Sequence, residues 1–185
     1  MIILLVAGCT FGTHEFAGTV IEESEPVPDF TLIGDGDEPV SLGDYTGKYV
    51  FLYFGYSFCP DVCPATLSEL KQVRRELGED ADMVQVIMVT VDPERDTPDT
   101  LKGYVSHFDP TFIGLSGDKE EIDAVGKIYG LFYEKHEGTA ASGYLVDHTA
   151  RAYLIGPERY LRVVYPFDTR SEAIVADLRW LFAHD

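Results

Sequence analysis

The sequence is poor in cysteine and in basic side chains. Three cysteines among 185 residues are too few for a disulfide-stapled scaffold, so a hydrophobic core must hold the fold. Fourteen Lys and Arg stand against 32 Asp and Glu, which gives a net charge of −18. A surface this negative repels nucleic-acid phosphates and anionic lipid headgroups. We therefore expect no nucleic-acid partner and no electrostatic binding to membranes.

The sequence also lacks a hydrophobic run of the roughly 20 residues that a membrane-spanning helix needs. The apolar run Met1–Gly8 is far shorter and is followed by Cys9. The segment Leu5–Cys9 resembles a lipoprotein signal, in which the chain is cut before a cysteine that then carries lipid. Because no Lys or Arg precedes the run, an apolar tail with an incidental cysteine is the alternative. Residues 1–9 are thus predicted to be a signal or anchor segment, with lipid on Cys9.

Residues 10–27 are rich in acidic side chains and end near two prolines. The pattern predicts a flexible tether, which would reach on the order of 20 Å and hold a domain off a membrane. Residues 28–185 are then long enough for one compact domain.

Strands and helices alternate along this domain. Residues 49–54 are apolar at every position, which is typical of a central strand covered on both faces. A helix is predicted with Pro64 in its first turn, and further strand and helix patterns follow, ending in a hairpin and a last helix. Two short strands, 30–33 and 40–42, precede them. The fold class is therefore α/β, with a mixed central sheet flanked by helices and an N-terminal β-hairpin extension.

The segment Cys59–Cys63 (CPDVC) lies between the buried strand and the first long helix. The exposed N–H groups and partial positive charge of a helix N-terminus stabilise a thiolate, which attacks disulfides or binds soft metals. Two buried structural cysteines are the alternative. Two thiolates alone do not identify the metal that they would bind. Zinc normally takes four ligands, whereas a low-coordinate site of sulfur and imidazole suits Cu(I).

A third ligand must come from elsewhere in the chain, which contains five histidines. His14 and His184 lie near the termini and are predicted to be solvated, and His136 is predicted to lie in an exposed loop. His107 ends a helix, where a cation offsets the helix dipole. His148 lies between an apolar stretch and a strand, which ranks it only slightly above His107.

Three motifs in order resemble the SCO/SenC family of copper-binding, thioredoxin-like proteins. They are Phe54–Pro64 (FGYSFCPDVCP), Val89–Pro98 (VTVDPERDTP) and Gly143–Ala150 (GYLVDHTA). The similarity covers about residues 28–182. It implies one copper ion, as Cu(I) with Cu(II) as the alternative, bound by Cys59, Cys63 and His148.

The resemblance also implies a role and a place in the cell. Family members assist maturation of the copper centre of cytochrome c oxidase subunit II, so that subunit or another cuproprotein is the expected partner. The expected location is extracytoplasmic, on the outer face of the cytoplasmic membrane, through the lipid anchor.

Two carboxylates lie next to the expected ligands in the sequence. Asp61 and Asp147 are candidates for orienting the ligands. Capping of the following helix is an equal alternative for Asp61.

Two other activities use the same residues. A thiol–disulfide oxidoreductase would employ Cys59 and Cys63 as its catalytic redox pair, acting on the cysteines of an extracytoplasmic cuproprotein. A peroxidase of the peroxiredoxin kind shares the fold. It ranks low, because that class usually has a threonine a few residues before a lone cysteine, whereas here Ser57 precedes a pair.

Overall fold

The computed structural model describes residues 14–22, 25–138 and 143–185. The predicted signal segment and the lipid on Cys9 lie outside these residues. The strands of the described part are β1 Thr19–Val20, β2 Thr31–Ile33, β3 Pro39–Ser41, β4 Tyr49–Gly55, β5 Val84–Thr90, β6 Ile113–Leu115, β7 Tyr133–Glu137, β8 Tyr144–His148, β9 Arg151–Ile155 and β10 Leu161–Pro166. The helices are α1 Val62–Leu77, α2 Pro98–Ser106, α3 Lys119–Ile128 and α4 Ser171–His184.

A six-stranded mixed sheet forms the centre, in the order β1-β10-β9-β4-β5-β6. Strands β4, β5 and β6 run parallel, whereas β9 is antiparallel to both β4 and β10. Every residue of β4 and β5 is buried, which explains why these strands do not alternate between apolar and polar residues. The all-apolar pattern of residues 49–54 therefore predicted their central position correctly.

The helices cover the sheet as predicted. Helix α1 buries Leu67, Leu70, Val73 and Leu77, which recur at helical spacing, and it packs against α4. Helix α2 packs against β6 and is capped at its N-terminus by Thr97, whose side chain accepts a hydrogen bond from the Thr100 N–H.

The predicted N-terminal hairpin extension is present. Strands β2 and β3 pair antiparallel and bury Leu32, and Leu42 is buried directly after them. A bridge between Ile33 and Ser116 attaches this hairpin beside β6. Together with the mixed sheet and its flanking helices, this confirms the predicted fold class.

Several described residues of the predicted tether contact the domain. Strand β1 pairs with β10 and closes that edge of the sheet. His14 lies 2.7 Å from the nearly fully buried carboxylate of Asp177, and Phe16 and Trp180 meet edge to face. His14 is therefore bound rather than solvated. The tether was predicted from the acidic residues of this segment. The contacts are made instead by His14 and Phe16, which are not acidic, and by pairing with the open edge of β10.

The hairpin of β7 and β8 is the second difference from prediction. The sequence around His136 is polar and was expected to form an exposed loop, yet it pairs with β8 in a separate two-stranded sheet. Four of the five residues of β7 are exposed, so the alternation that marks a half-buried strand is absent. None of the helices within the described ranges is long and apolar enough to cross a membrane.

Candidate metal centre

The cysteine loop follows the end of β4 and enters α1. Cys63 lies in the first turn of α1 and is fully buried, whereas Cys59 is partly exposed; both are free thiols. The Cys63 N–H donates a hydrogen bond to the Cys59 sulfur at 3.4 Å. A Cβ at Gly55 would lie 2.8 Å from the Cys63 sulfur. A glycine at the end of β4 is thus what allows Cys63 to pack against the strand.

His148 ends β8 and points at the cysteines. Its Nε2 lies 3.4 Å from the Cys63 sulfur, although the two residues are 85 positions apart. The ring meets Tyr53 and Tyr56 edge to face. Its Nδ1 lies 3.3 Å from the carbonyl oxygen of Thr149. When Nδ1 donates its proton there, Nε2 presents a lone pair to the sulfurs, which is the form that binds a metal.

The three predicted ligands therefore converge. The two sulfurs and one imidazole nitrogen lie within 4.8 Å of one another, and no other group of three such side chains occurs in the described part of the chain. Two thiolates and an imidazole form a soft, low-coordinate donor set that suits Cu(I). Structural zinc sites use four ligands, and magnesium and calcium prefer oxygen. The residues present therefore fit copper better than these alternatives.

The two cysteines differ sharply in acidity. The pKa of Cys59 is lowered to about 3, chiefly by a hydrogen bond from the Cys63 side chain and also by His148 and by the N–H groups of Asp61 and Cys63, against the opposing effect of burial. The pKa of Cys63 is raised by burial and by the neighbouring Cys59. At neutral pH the pair therefore holds one thiolate, on Cys59, and one thiol, on Cys63.

This difference predicts the alkylation behaviour of the metal-free, reduced protein. A depressed pKa keeps Cys59 as a thiolate at every pH well above 3. Its alkylation rate should therefore be nearly constant between about pH 5 and about pH 8, whereas an ordinary thiol slows by about tenfold per unit below its pKa. Cys63 should stay unmodified. Iodoacetamide labelling followed by peptide mass spectrometry measures both rates.

The matched control is Cys63→Ala. This change removes the largest cause of the lowered pKa of Cys59. The labelling rate of Cys59 should then fall with decreasing pH within the same interval. A flat profile in the variant, or a steep profile in the unmodified protein, would contradict this account of the pair.

Tyr53 is a site residue that the sequence did not reveal. It lies in the middle of β4, is fully buried, and donates a hydrogen bond from its hydroxyl to the Cys63 sulfur at 3.4 Å. Tyr56, the first residue after that strand, accepts a hydrogen bond from the Val146 N–H in β8. Tyr53 does not stand out from its neighbours within the all-apolar run, and Tyr56 carries no pattern that marks a contact with a distant strand.

The carboxylates of Asp61 and Asp147 do not orient the ligands in this structure. Asp61 is at the N-cap of α1, but its side chain is exposed and makes no capping hydrogen bond; only its N–H acts on Cys59. Asp147 is 75% exposed and lies 2.9 Å from His136 on the neighbouring strand. Side chains alternate along a strand, so Asp147 points away from the face that carries His148.

Comparisons with known proteins agree with this architecture. The chain matches the SCO1/SenC family over residues 19–183. It is 39% identical over 131 residues to the SCO1 homologue of mouse mitochondria, covering 70% of this chain and 46% of that protein. The chain thus spans about half the length of the curated relatives it matches.

Two solved structures are similar along nearly their whole length. The solution structure of apo Sco1 from Thermus thermophilus has a TM-score of 0.81 and 40% identity, covering 94% of this chain and 99% of that one. The crystal structure of ScoI from Arabidopsis thaliana with copper bound has a TM-score of 0.80 and 33% identity, covering 87% and 100%. A family match across most of the chain makes this protein a member of the SCO1/SenC family.

Proposed function

We propose that this protein binds one copper ion through Cys59, Cys63 and His148 and delivers it to a cuproprotein. The convergence of two sulfurs and one imidazole nitrogen within 4.8 Å is the observation that carries the proposal. The similar protein from Arabidopsis thaliana with copper bound supports it. The proposed client is subunit II of cytochrome c oxidase, whose copper centre members of this family help to mature.

The two cysteines have different parts in this function. Cys59 is partly exposed and already a thiolate, so it is the ligand that an incoming ion meets first. Cys63 is buried and holds its proton, which must leave before the second sulfur can bind. Copper binding therefore releases a proton, and the affinity should rise with pH. A client thiol can compete for the ion at the exposed side of Cys59.

A copper titration of the reduced protein tests the proposal. The unmodified protein should take up one ion, and X-ray absorption should show two sulfur neighbours and one nitrogen neighbour. Each single ligand variant should lose the corresponding neighbour. A shell made only of oxygen, or one that does not change in the variants, would contradict the assignment.

A thiol–disulfide oxidoreductase is the second candidate, favoured by the contrast between an exposed, acidic Cys59 and a buried Cys63. The Cys59 thiolate would attack a client disulfide and release one client thiolate. Cys63, on losing its proton, would then attack the mixed disulfide and release the second. The client gains two electrons and leaves as two thiolates, which take up the proton lost by Cys63 and one from water, and the protein is left with a Cys59–Cys63 disulfide.

We further propose that the protein works on the outer face of the cytoplasmic membrane, held by lipid on Cys9. His14 is bound to Asp177 of the domain. The five residue steps from Cys9 to His14 span at most about 18 Å. The lipid would therefore hold the domain close to the membrane, without the longer tether expected from residues 10–27.

Replacing Cys9 with serine tests the anchor. After expression in a bacterium that processes lipoproteins, the unmodified protein should partition into the detergent phase of a detergent–water mixture and gain the mass of lipid. Cys9→Ser should remain in the aqueous phase, because serine offers no thiol to acylate. The control Cys63→Ser should partition like the unmodified protein. Equal partitioning of both variants would contradict lipidation at Cys9.

A further inference from the structure

His148 is carried by a hairpin that lies outside the main sheet. Strands β7 and β8 pair only with each other among the described strands, so the six-stranded sheet does not hold them. The chain after His148 enters β9 within three residues, which ties down that end of β8. The opposite end begins at Tyr144, about 13 Å away along the strand. Between these ends the Val146 N–H donates to the Tyr56 hydroxyl, and the direction of His148 also depends on what holds the hairpin at Tyr144.

A group of three side chains holds that end. The guanidinium of Arg95 lies 3.7 Å from the centre of the Tyr144 ring and donates a hydrogen bond to the Tyr144 carbonyl at 3.1 Å. The Tyr144 hydroxyl donates to Asp92 at 2.6 Å, and Arg95 also pairs with this carboxylate. Each of the three side chains thus contacts the other two. We call Asp92, Arg95 and Tyr144 the latch.

The latch also contacts the cysteine loop. The Arg95 guanidinium lies 4.7 Å from the ring centre of Phe58, the residue before Cys59. Asp96, the residue after Arg95, accepts hydrogen bonds from the main chain and hydroxyl of Ser57 in the same loop. The segment between β5 and α2 therefore contacts both the loop that carries the cysteines and the hairpin that carries the histidine.

The energetics favour a fixed latch. The carboxylate of Asp92 is fully buried, and a buried charge is tolerated only when it is paired and hydrogen-bonded. Tyr144, Arg95 and Lys135 supply those partners. Lys135 comes from β7, lies 4.7 Å from the centre of the Tyr144 ring, and reaches Glu94 at 2.7 Å. Swinging the hairpin outward would leave Asp92 with fewer partners.

We propose that the latch positions His148 against Cys59 and Cys63, which makes Arg95 a positioning residue of the metal site. The expected effect on copper affinity rests on the proposed copper function, whereas the contacts that hold the hairpin do not depend on it. Opening the latch should release the hairpin and His148 while leaving the cysteine pair at the start of α1. Such a protein should lose part of the copper affinity that His148 supplies.

Arg95→Gln tests the geometry in metal-free protein. The variant removes the charge that faces Asp92 and the Tyr144 ring. Amide hydrogen exchange in β7 and β8 should become at least about tenfold faster, while β4 and β5 keep their protection. Arg75→Gln, at an exposed position of α1, is the matched control and should change nothing in the hairpin. Unchanged exchange in Arg95→Gln would overturn the proposal.

A double-mutant cycle with His148→Ala tests the consequence. In the presence of His148, Arg95→Gln should weaken copper binding by roughly tenfold, as changes to groups that orient metal ligands commonly do. In the His148→Ala protein it should have less than about a twofold effect, because the ligand that the latch positions is already gone. An equal loss in both backgrounds would mean that Arg95 supports the fold in general, and would overturn the proposal.

Two further variants keep the test decisive. If Arg95→Gln fails to fold, Tyr144→Phe removes only the hydroxyl contact with Asp92 and should give a smaller change of the same kind, in both hairpin exchange and copper affinity. Arg95→Lys keeps the charge and should restore part of the copper affinity lost in Arg95→Gln. If neither the unmodified protein nor any variant bound copper, the copper function would be refuted. The hydrogen-exchange measurement on metal-free protein would still test the latch.

Discussion

Replacing Cys63 with serine is expected to abolish tight copper binding. Cys63 supplies one of only two sulfurs, and its loss leaves a thiolate and an imidazole. A metal–thiolate bond contributes several kcal/mol, and 1.4 kcal/mol is a factor of ten in affinity, so the loss should be roughly a thousandfold or more. Competition with a chromogenic copper chelator under reducing conditions measures it. Cys59→Ser should have a comparable effect.

Cys9→Ser is the matched control, because it makes the same chemical change outside the proposed site. Its copper affinity should equal that of the unmodified protein. A thermal melt should show that Cys63→Ser remains folded, since serine is slightly smaller than the buried cysteine that it replaces. Retention of tight binding in the folded Cys63→Ser protein would refute the three-ligand site.

Replacing His148 with alanine is expected to separate copper binding from thiol chemistry. Copper affinity should fall by about a hundredfold, since a low-coordinate site loses one of its three ligands. Disulfide exchange should stay within about threefold, because the exchange itself takes place between sulfur atoms and does not require an imidazole. His148 lowers the pKa of Cys59, but the hydrogen bond from Cys63 is the larger cause and remains.

The measurement pairs copper competition with the rate of reduction of a small disulfide. His107→Ala is the control, since His107 is exposed at the end of α2 and should affect neither quantity. If the folded His148→Ala protein lost both activities equally, the two roles could not be separated. If it lost neither, His148 would not be a copper ligand.

The central features of the fold could be predicted because their patterns involve neighbouring residues. The all-apolar run of β4 indicated a strand covered on both faces, and the leucines of α1 recur at helical spacing. The hairpin of β7 and β8 could not be predicted in this way. Strand β7 is mostly exposed, so no alternation marks it, and contacts such as those of Tyr144 hold the hairpin.

For the metal site, the residues alone placed Cys59 and Cys63 at a helix N-terminus, where a thiolate is stabilised. They ranked His148 only slightly above His107, and the family resemblance made the choice between them. Asp147 shows the limit of reasoning from adjacency: it precedes the ligand in sequence, yet alternation along β8 turns its carboxylate toward His136.

The sequence by itself determined the α/β class, the buried central strand and the reactive cysteine pair, because periodicity and helix starts are properties of residues close together in the chain. Only the tertiary structure decided that His148 meets Cys63 across 85 positions, that Tyr53 donates to Cys63, and that β1 closes the edge at β10. These contacts depend on how strands and loops pack in three dimensions. A local sequence pattern does not indicate which distant residues come into contact.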